Sequence, residues 1–320
     1  MSYQPTAISG NLSNLPKLPS WVTSGRAETL ETVAFRSGAA LTVLDQLVSD
    51  QRHGVPVKLL ANRLALTAAT ATSKLEGRLS READIRDAFH LTPSGESRGP
   101  DGDLLAFWRE AVRLRLNGKD WPTGLKGLVG SSFEDDVGRW IEKGVARAKT
   151  LGPLAGCATV MGAVLQTDDR AERVACFLSD VVLAQALGWK TVLPISAQHP
   201  TKAMVRDLVA EGQGGELKVQ QCFLQSVEDT SDLARDLSSK SVALRAVAPK
   251  LRAKGSEAAV TLFLAEDSVA PSTMLSPMIQ GTTIPMTDRA ARRFCDRLVE
   301  LGVALELTGR PTFRLYGIVR

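Results

Sequence analysis

The sequence has little of what builds metal centres, disulfide frameworks or membrane spans. Its four cysteines (Cys157, Cys176, Cys222, Cys295) lie far apart without a CxxC pair, and His53, His90 and His199 share no ligand spacing with them. No zinc site is expected, and a reducing compartment is. The glycines between 124 and 130 are not followed by Gly-Lys-Ser/Thr, so they form no P-loop, and no Ser-His-Asp triad is read. Long apolar runs are missing too. The most apolar stretch, 174–189, is broken by Ser179, Asp180 and Gln185, and no basic region followed by an apolar one opens the chain. We therefore expect a cytoplasmic protein without a membrane segment or secretory leader. There is no internal repeat and no low-complexity tract. Lys plus Arg exceed Asp plus Glu by only 39 to 35, too little to define a nucleic-acid or membrane surface unless the charges are clustered.

What is present is a well-patterned helical chain. Its 320 residues, 44% apolar and 23% charged, give the composition of a folded protein of one large or two ordinary domains. Residues 1–24, with Pro5, Pro16 and Pro19, lack periodicity and read as an arm. Leu30, Val33, Ala34, Leu41, Leu44, Leu47 and Val48 then recur at helical spacing up to a stop at Gly54. Pro56 suits the first turn of a second helix carrying Leu60, Leu64, Ala68, Ala71 and Leu75. Ser80 is expected to cap a third helix through Phe89, residues 92–102 to form a breaker-rich loop, and Leu104, Leu105, Trp108, Ala111 and Val112 to mark a fourth helix. A second glycine-rich loop is expected over 117–130. A fifth helix from Ser132 uses Val137, Trp140, Ile141 and Val145. Residues 154–165 and 168–187 are apolar all round and predict core helices, with Gly188 closing the second. Pro194 makes 191–196 an extended connector rather than a strand. Further helices are expected after Pro200 and over 216–250, where Pro249 forces a break.

The last 65 or so residues read differently. A helix is expected over 257–265 and a short one over 272–275. Thr287 caps a stronger helix with Asp288 in its first turn, Ala291, Phe294, Cys295, Leu298 and Leu301 inward, and Gly302 at its end. Alternation on both sides of Gly309-Arg310-Pro311 predicts a hairpin. Helices followed by a two-stranded wing describe a winged helix-turn-helix. Between 288 and 320 seven arginines face four acids, which places most of the chain's positive excess here. Arg289, Arg292, Arg293 and Arg297 avoid the apolar positions, where guanidinium groups could reach phosphates and guanine edges; Arg310 and Arg314 sit on the wing. The expected partner is double-stranded DNA. The competing reading is a solvated helix face, or a winged module docking on protein.

Several stretches resemble an uncharacterised family, domain of unknown function 1403, known from alphaproteobacteria and often from rhizobial plasmids. They are LETVAFRSG (30–38), LTAATATSKLEG (66–77), GPDGD (99–103), RAERVA (170–175) and PMTDRAAR (285–292) through RPTFRLYG (310–317). The resemblance runs nearly the full length and implies no activity. More distantly, Thr72-Ser-Lys-Leu-Glu76-Gly77 is similar to the inhibitory helix of Fic-type AMP transferases, whose glutamate pairs with an arginine that otherwise holds the ATP γ-phosphate. Residues 162–173 stand where that family carries its catalytic motif. Only Arg170 and Arg173 match it. Gly162 replaces the general-base histidine, Gln166 the metal-binding acid, and Thr167-Asp168-Asp169 the glycine-flanked phosphate loop. The resemblance therefore implies a nucleotide or anion site at Thr72, Glu76, Arg170 and Arg173, with Glu76 against one of the arginines, and no catalytic residue.

These readings combine into a mainly α protein: an arm (1–24), a Fic-like helical bundle without catalysis (25–254) and a winged helix-turn-helix (255–320). It would bind DNA as a regulator, with the bundle serving dimerisation or ligand sensing. The alternatives are a nucleotide-binding or nucleotidyl-transferring enzyme inhibited by Glu76, and a protein-protein adaptor. No cofactor or metal is expected, since Asp168, Asp169 and Glu172 are read as first-turn acids that favour the helix dipole.

Overall fold

The computed structural model describes residues 15–93, 95–117, 121–210, 212–251 and 254–319. Most of the expected arm, Arg320 and residues 118–120 lie outside these. The protein is mainly helical with one small antiparallel sheet near its C-terminus, and none of its described helices is long and apolar enough to cross a membrane. It forms two compact units. A bundle unit comprises Pro19–Leu41 and Ala61–Thr230, and a terminal unit comprises residues 15–18, Thr42–Leu60 and 231–319.

The bundle unit takes α1 (Ser20–Thr23), the first part of α2 (Leu30–Ser49) and most of α3 (Val57–Leu75), then α4 (Glu82–Leu91), α5 (Gly99–Ala111), α6 (Trp121–Val129), α7 (Val137–Leu151), α8 (Pro153–Thr167), α9 (Glu172–Leu187), α10 (Lys202–Ala210) and the start of α11 (Gln213–Val247). Its centre is the trio α7, α8 and α9. The all-round apolar character of the last two has its expected consequence: ten residues of α8 are buried, including Val160, Met161, Val164 and Leu165, and α9 buries Phe177, Leu178, Val181 and Val182. α7 and α8 approach so closely that a Cβ on Gly156 would stand 2.5 Å from the carbonyl oxygen of Gly144 and 2.7 Å from Ala148 Cβ. Only hydrogen fits there. Arg36 of α2 clamps Glu228 of α11 through two guanidinium hydrogen bonds, of 2.6 and 2.8 Å.

The connector after α9 is extended, as its proline requires, and is held by a buried carboxylate. Asp180 Oδ1 accepts hydrogen bonds from the backbone N–H groups of Ile195 (3.0 Å) and Ser196 (2.8 Å), while Ser196 Oγ donates to the Cys176 carbonyl at 2.7 Å. Oδ2 has no partner in its buried position. Burial raises this carboxyl from 3.8 to about 8.

Several local expectations fail for identifiable reasons. The second glycine-rich loop contains α6, because burial of Leu125 and Val129 outweighs the helix cost of Gly124 and Gly127. The expected loop over 92–102 ends early, since Pro100 is accepted in the first turn of α5. Ser80 caps nothing; its hydroxyl donates to Asp101 Oδ1 at 2.7 Å, and α4 starts one residue later, with the Arg81 N–H bonded to Asp84. Asp168 and Asp169 precede α9 rather than occupy its first turn, which holds only Glu172.

The terminal unit takes the rest of α11, α12 (Ser256–Phe263), a single turn over Pro271–Leu275, α13 (Asp288–Glu300) and strands β1 (Ala304–Glu306) and β2 (Tyr316–Ile318). The strands pair antiparallel, Ala304 with Ile318 and Glu306 with Tyr316. Val269, in the segment after α12, exchanges two backbone hydrogen bonds with Tyr316, of 2.7 and 2.9 Å. The hairpin connection is longer than the tight turn expected from Gly309-Arg310-Pro311: residues 307–315 form the loop, and Leu307 N–H bonds the Leu315 carbonyl at 2.8 Å. Phe313 breaks the expected alternation with φ 54°, the one positive value among the described non-glycine residues. For an L-residue that region costs about 1–2 kcal/mol. Elsewhere in this unit, Ser241 Oγ donates to the Gly54 carbonyl at 2.9 Å.

Candidate functional site

α13 carries the charge. Thr287 Oγ1 accepts the Ala290 N–H at 3.3 Å, and Asp288 lies in the first turn against the positive end of the helix dipole. Ala291, Phe294, Cys295 and Leu298 are buried, with the Phe294 ring 6.2 Å from that of Phe263. Burial pushes the Cys295 thiol upward, so it is packing rather than a nucleophile. Arg289, Arg292, Arg293 and Arg297 are all exposed.

These four arginines divide into two sets. Arg289, Arg293 and Arg297, spaced four apart, line an open groove of about 610 Å³ with Lys250, Leu251, Thr287, Ala290 and Phe294. Among the described residues, the groove's lining contains four cations and no carboxylate. Arg297 also meets Glu300 at 2.8 Å, but both side chains are more than half exposed, so the pair costs little to open. Arg292 bonds Asp288 at 2.8 Å and borders a second groove of about 480 Å³ with Ser272, Asp296, Phe313, Arg314 and Tyr316. There Tyr316 Oη donates to Asp296 at 2.9 Å, and Arg314 lies 3.9 Å from the same carboxylate. Hydrogen bonding with Tyr316 raises the Arg314 guanidinium, so it stays charged. Arg310 is exposed on the loop, and its carbonyl accepts Arg314 Nε–H at 3.0 Å. Thus three of the six expected DNA residues share one groove whose described lining carries cations and no carboxylate. Lys250, visible in the sequence only as the residue after Pro249, joins them, and nothing in its periodicity marks it.

In the bundle unit, α3 ends with Glu76 N–H bonded to the Thr72 carbonyl at 2.9 Å, and Gly77 takes the left-handed conformation (φ 81°) that closes the helix. Glu76 Oε1 lies 3.4 Å from Arg173 Nε, and Oε2 lies 3.5 Å from Arg78 Nη2. The Arg173 guanidinium also lies 5.0 Å from the centre of the Phe107 ring. The Gly77 end faces Lys202 Nζ, which would stand 4.0 Å from a Cβ there. Burial raises the Glu172 carboxyl. Arg78 Nη1 and Ser73 Oγ are buried without partners. Two of the expected residues do not join this cluster. Arg170 is exposed, with its backbone N–H on Asp168 Oδ1 at 2.9 Å. Thr72 is fully buried: its hydroxyl donates to the Ala68 carbonyl at 2.7 Å and accepts Trp108 Nε1–H at 3.2 Å. Gly162 is also buried, where a Cβ would meet Leu208. Among the described residues no three His, Cys, Asp or Glu side chains gather as a metal site.

A basic amphipathic helix with a small sheet and a helical core centred on α8 and α9 define a mainly α protein with two polar sites. The chain matches the family described as Protein of unknown function (DUF1403) over residues 6–318 and belongs to it. No curated protein matches the chain.

Proposed function

We propose that the protein binds double-stranded DNA in the cytoplasm through its terminal unit and acts as a regulator, with the bundle serving dimerisation or ligand sensing rather than catalysis. The observation that carries this reading is the groove lined by Arg289, Arg293, Arg297 and Lys250 with no carboxylate among its described lining residues, the exposed Arg297–Glu300 pair lying at its edge. The arginine stripe spans about 12 Å along the helix, roughly three to four base-pair rises, which suits contact with consecutive phosphates. The element order supports a winged helix-turn-helix: α12, the Val269 pairing, the turn at Pro271–Leu275, α13, then the hairpin. In this reading the middle helix is reduced to one turn, and Arg310 and Arg314 are wing contacts. Fluorescence anisotropy against labelled duplexes tests it. Binding should weaken with salt at a log-log slope of about −4, the value for some four phosphate contacts. A protein that binds no duplex at low salt would overturn the reading and favour the adaptor class.

A second reading, a Fic-like bundle with a nucleotide or anion site at Arg173, is favoured by one observation, the Glu76–Arg173 contact at 3.4 Å. A carboxylate there occupies the guanidinium that an anion would need. Gly162 against Leu208 leaves no general base at the corresponding position, so binding rather than transfer is the activity proposed. Calorimetry with ATP and magnesium checks it: Glu76→Gly should bind more tightly than wild type, and equal, absent binding by both proteins would remove it.

A further inference from the structure

The hairpin loop carries a feature that DNA contact by arginines does not use. Phe313 is 72% exposed and holds φ 54°, so one residue bears both an unburied aromatic ring and a backbone conformation suited to glycine or asparagine. Neither cost serves packing. The loop around it is braced rather than loose. Glu306 accepts hydrogen bonds from the Thr308 N–H (2.9 Å), the Thr308 hydroxyl and the Gly309 N–H (2.7 Å). Arg314 Nε–H closes on the Arg310 carbonyl at 3.0 Å, and Leu307 N–H on the Leu315 carbonyl at 2.8 Å. Strain persists only where the surroundings over-determine it, and such positions cluster at functional sites. Phe313 also borders the groove lined by Arg292, Arg314, Tyr316 and Asp296, so an aromatic side chain and two cations share one groove. That combination fits a nucleic-acid base with its phosphate: the ring stacks on the base and the guanidinium takes the phosphate.

We propose that Phe313 is an unstacking wedge, a ring that enters between neighbouring base pairs and bends the duplex while Arg314 and Arg292 hold the flanking phosphates. The inference rests on the DNA reading above and adds a second contact to it. Pyrimidine–purine steps, which unstack most easily, are the preferred sites.

The test uses the full chain, a short duplex with 2-aminopurine at its TA steps, and Phe313→Gly beside Phe313→Leu. Wild-type protein should raise 2-aminopurine fluorescence on binding. Phe313→Gly relieves the backbone and should melt no lower than wild type, yet lose about tenfold in affinity, the range for one aromatic–base contact, together with the fluorescence rise. Phe313→Leu should keep part of both, since an aliphatic side chain can still wedge. Retention by Phe313→Gly of wild-type affinity and fluorescence would overturn the wedge while leaving groove binding intact. Loss of self-association by that variant, with DNA binding unchanged, would reassign the ring to a protein contact and also overturn it. Absence of duplex binding by wild type would remove both the wedge and the reading beneath it.

Discussion

The two units spend their residues in opposite ways. Along α8 and α9 most positions are committed inward: small residues let α8 touch the backbone of α7, apolar side chains fill both faces, and even a carboxyl group, Asp180, is used to hold a connector. α13 and its hairpin commit only a narrow stripe to packing and leave four arginines, a braced loop and a strained aromatic on the surface. A region built for density tolerates little substitution. A region built around exposed charge tolerates substitution in folding and shows it in binding.

Mutations can sharpen or break that contrast. The largest stability effect is expected at the α7–α8 contact. Gly156→Ala forces a methyl group to within 2.5 Å of the Gly144 carbonyl oxygen and should cost about 3 kcal/mol, the upper end of ordinary overpacking, measured by urea unfolding. Thr72→Val comes next: it leaves the buried Trp108 indole N–H without its acceptor and should cost about 1–3 kcal/mol. Wild-type stability at either variant would show that the bundle is less tightly specified than its geometry implies.

Asp180 supplies a pH signature of the same region. Burial raises its carboxyl from 3.8 to about 8, so the folded protein holds a proton that the unfolded chain has released. Its contribution is therefore fully present below about pH 4, declines as pH rises through the interval to about 8, and levels off above it. Asp180→Asn keeps an oxygen acceptor for Ile195 and Ser196 and should flatten this dependence, gaining most relative to wild type near pH 8 in thermal melts across pH. A parallel decline in both proteins would assign the pH dependence elsewhere. The smallest stability effect is expected at Glu76→Gln. Its partner Arg173 is about a third exposed, so the change should stay below about 1 kcal/mol.

How much of this was legible in the sequence varied with the kind of signal. α13 was readable end to end because Thr287, Asp288 and Gly302 punctuate a clean apolar stripe. The core pair α8 and α9 was readable from continuous apolarity. α6 was not, since Gly124, Gly127 and Pro122 carry the local signature of a loop and only tertiary burial of Leu125 and Val129 overrides it. The hairpin's strands were legible but its length was not, because alternation in TFRLYG (312–317) continues past the point where Phe313 turns left-handed. At the sites, helical periodicity placed the arginines on one outer face, yet could not divide Arg292 from Arg289, Arg293 and Arg297 or bring Lys250 beside them. Glu76 and Arg173, nearly a hundred positions apart, were linked by motif alone.

The most direct measurement of the central claim is the salt dependence of duplex binding by wild type and by Arg289→Ala/Arg293→Ala, followed by anisotropy, with thermal melts run alongside. The account predicts unchanged melting, weaker binding and a log-log slope shallower by about 2, as expected for two lost phosphate contacts. Equal affinity and equal slope in the two proteins would contradict it.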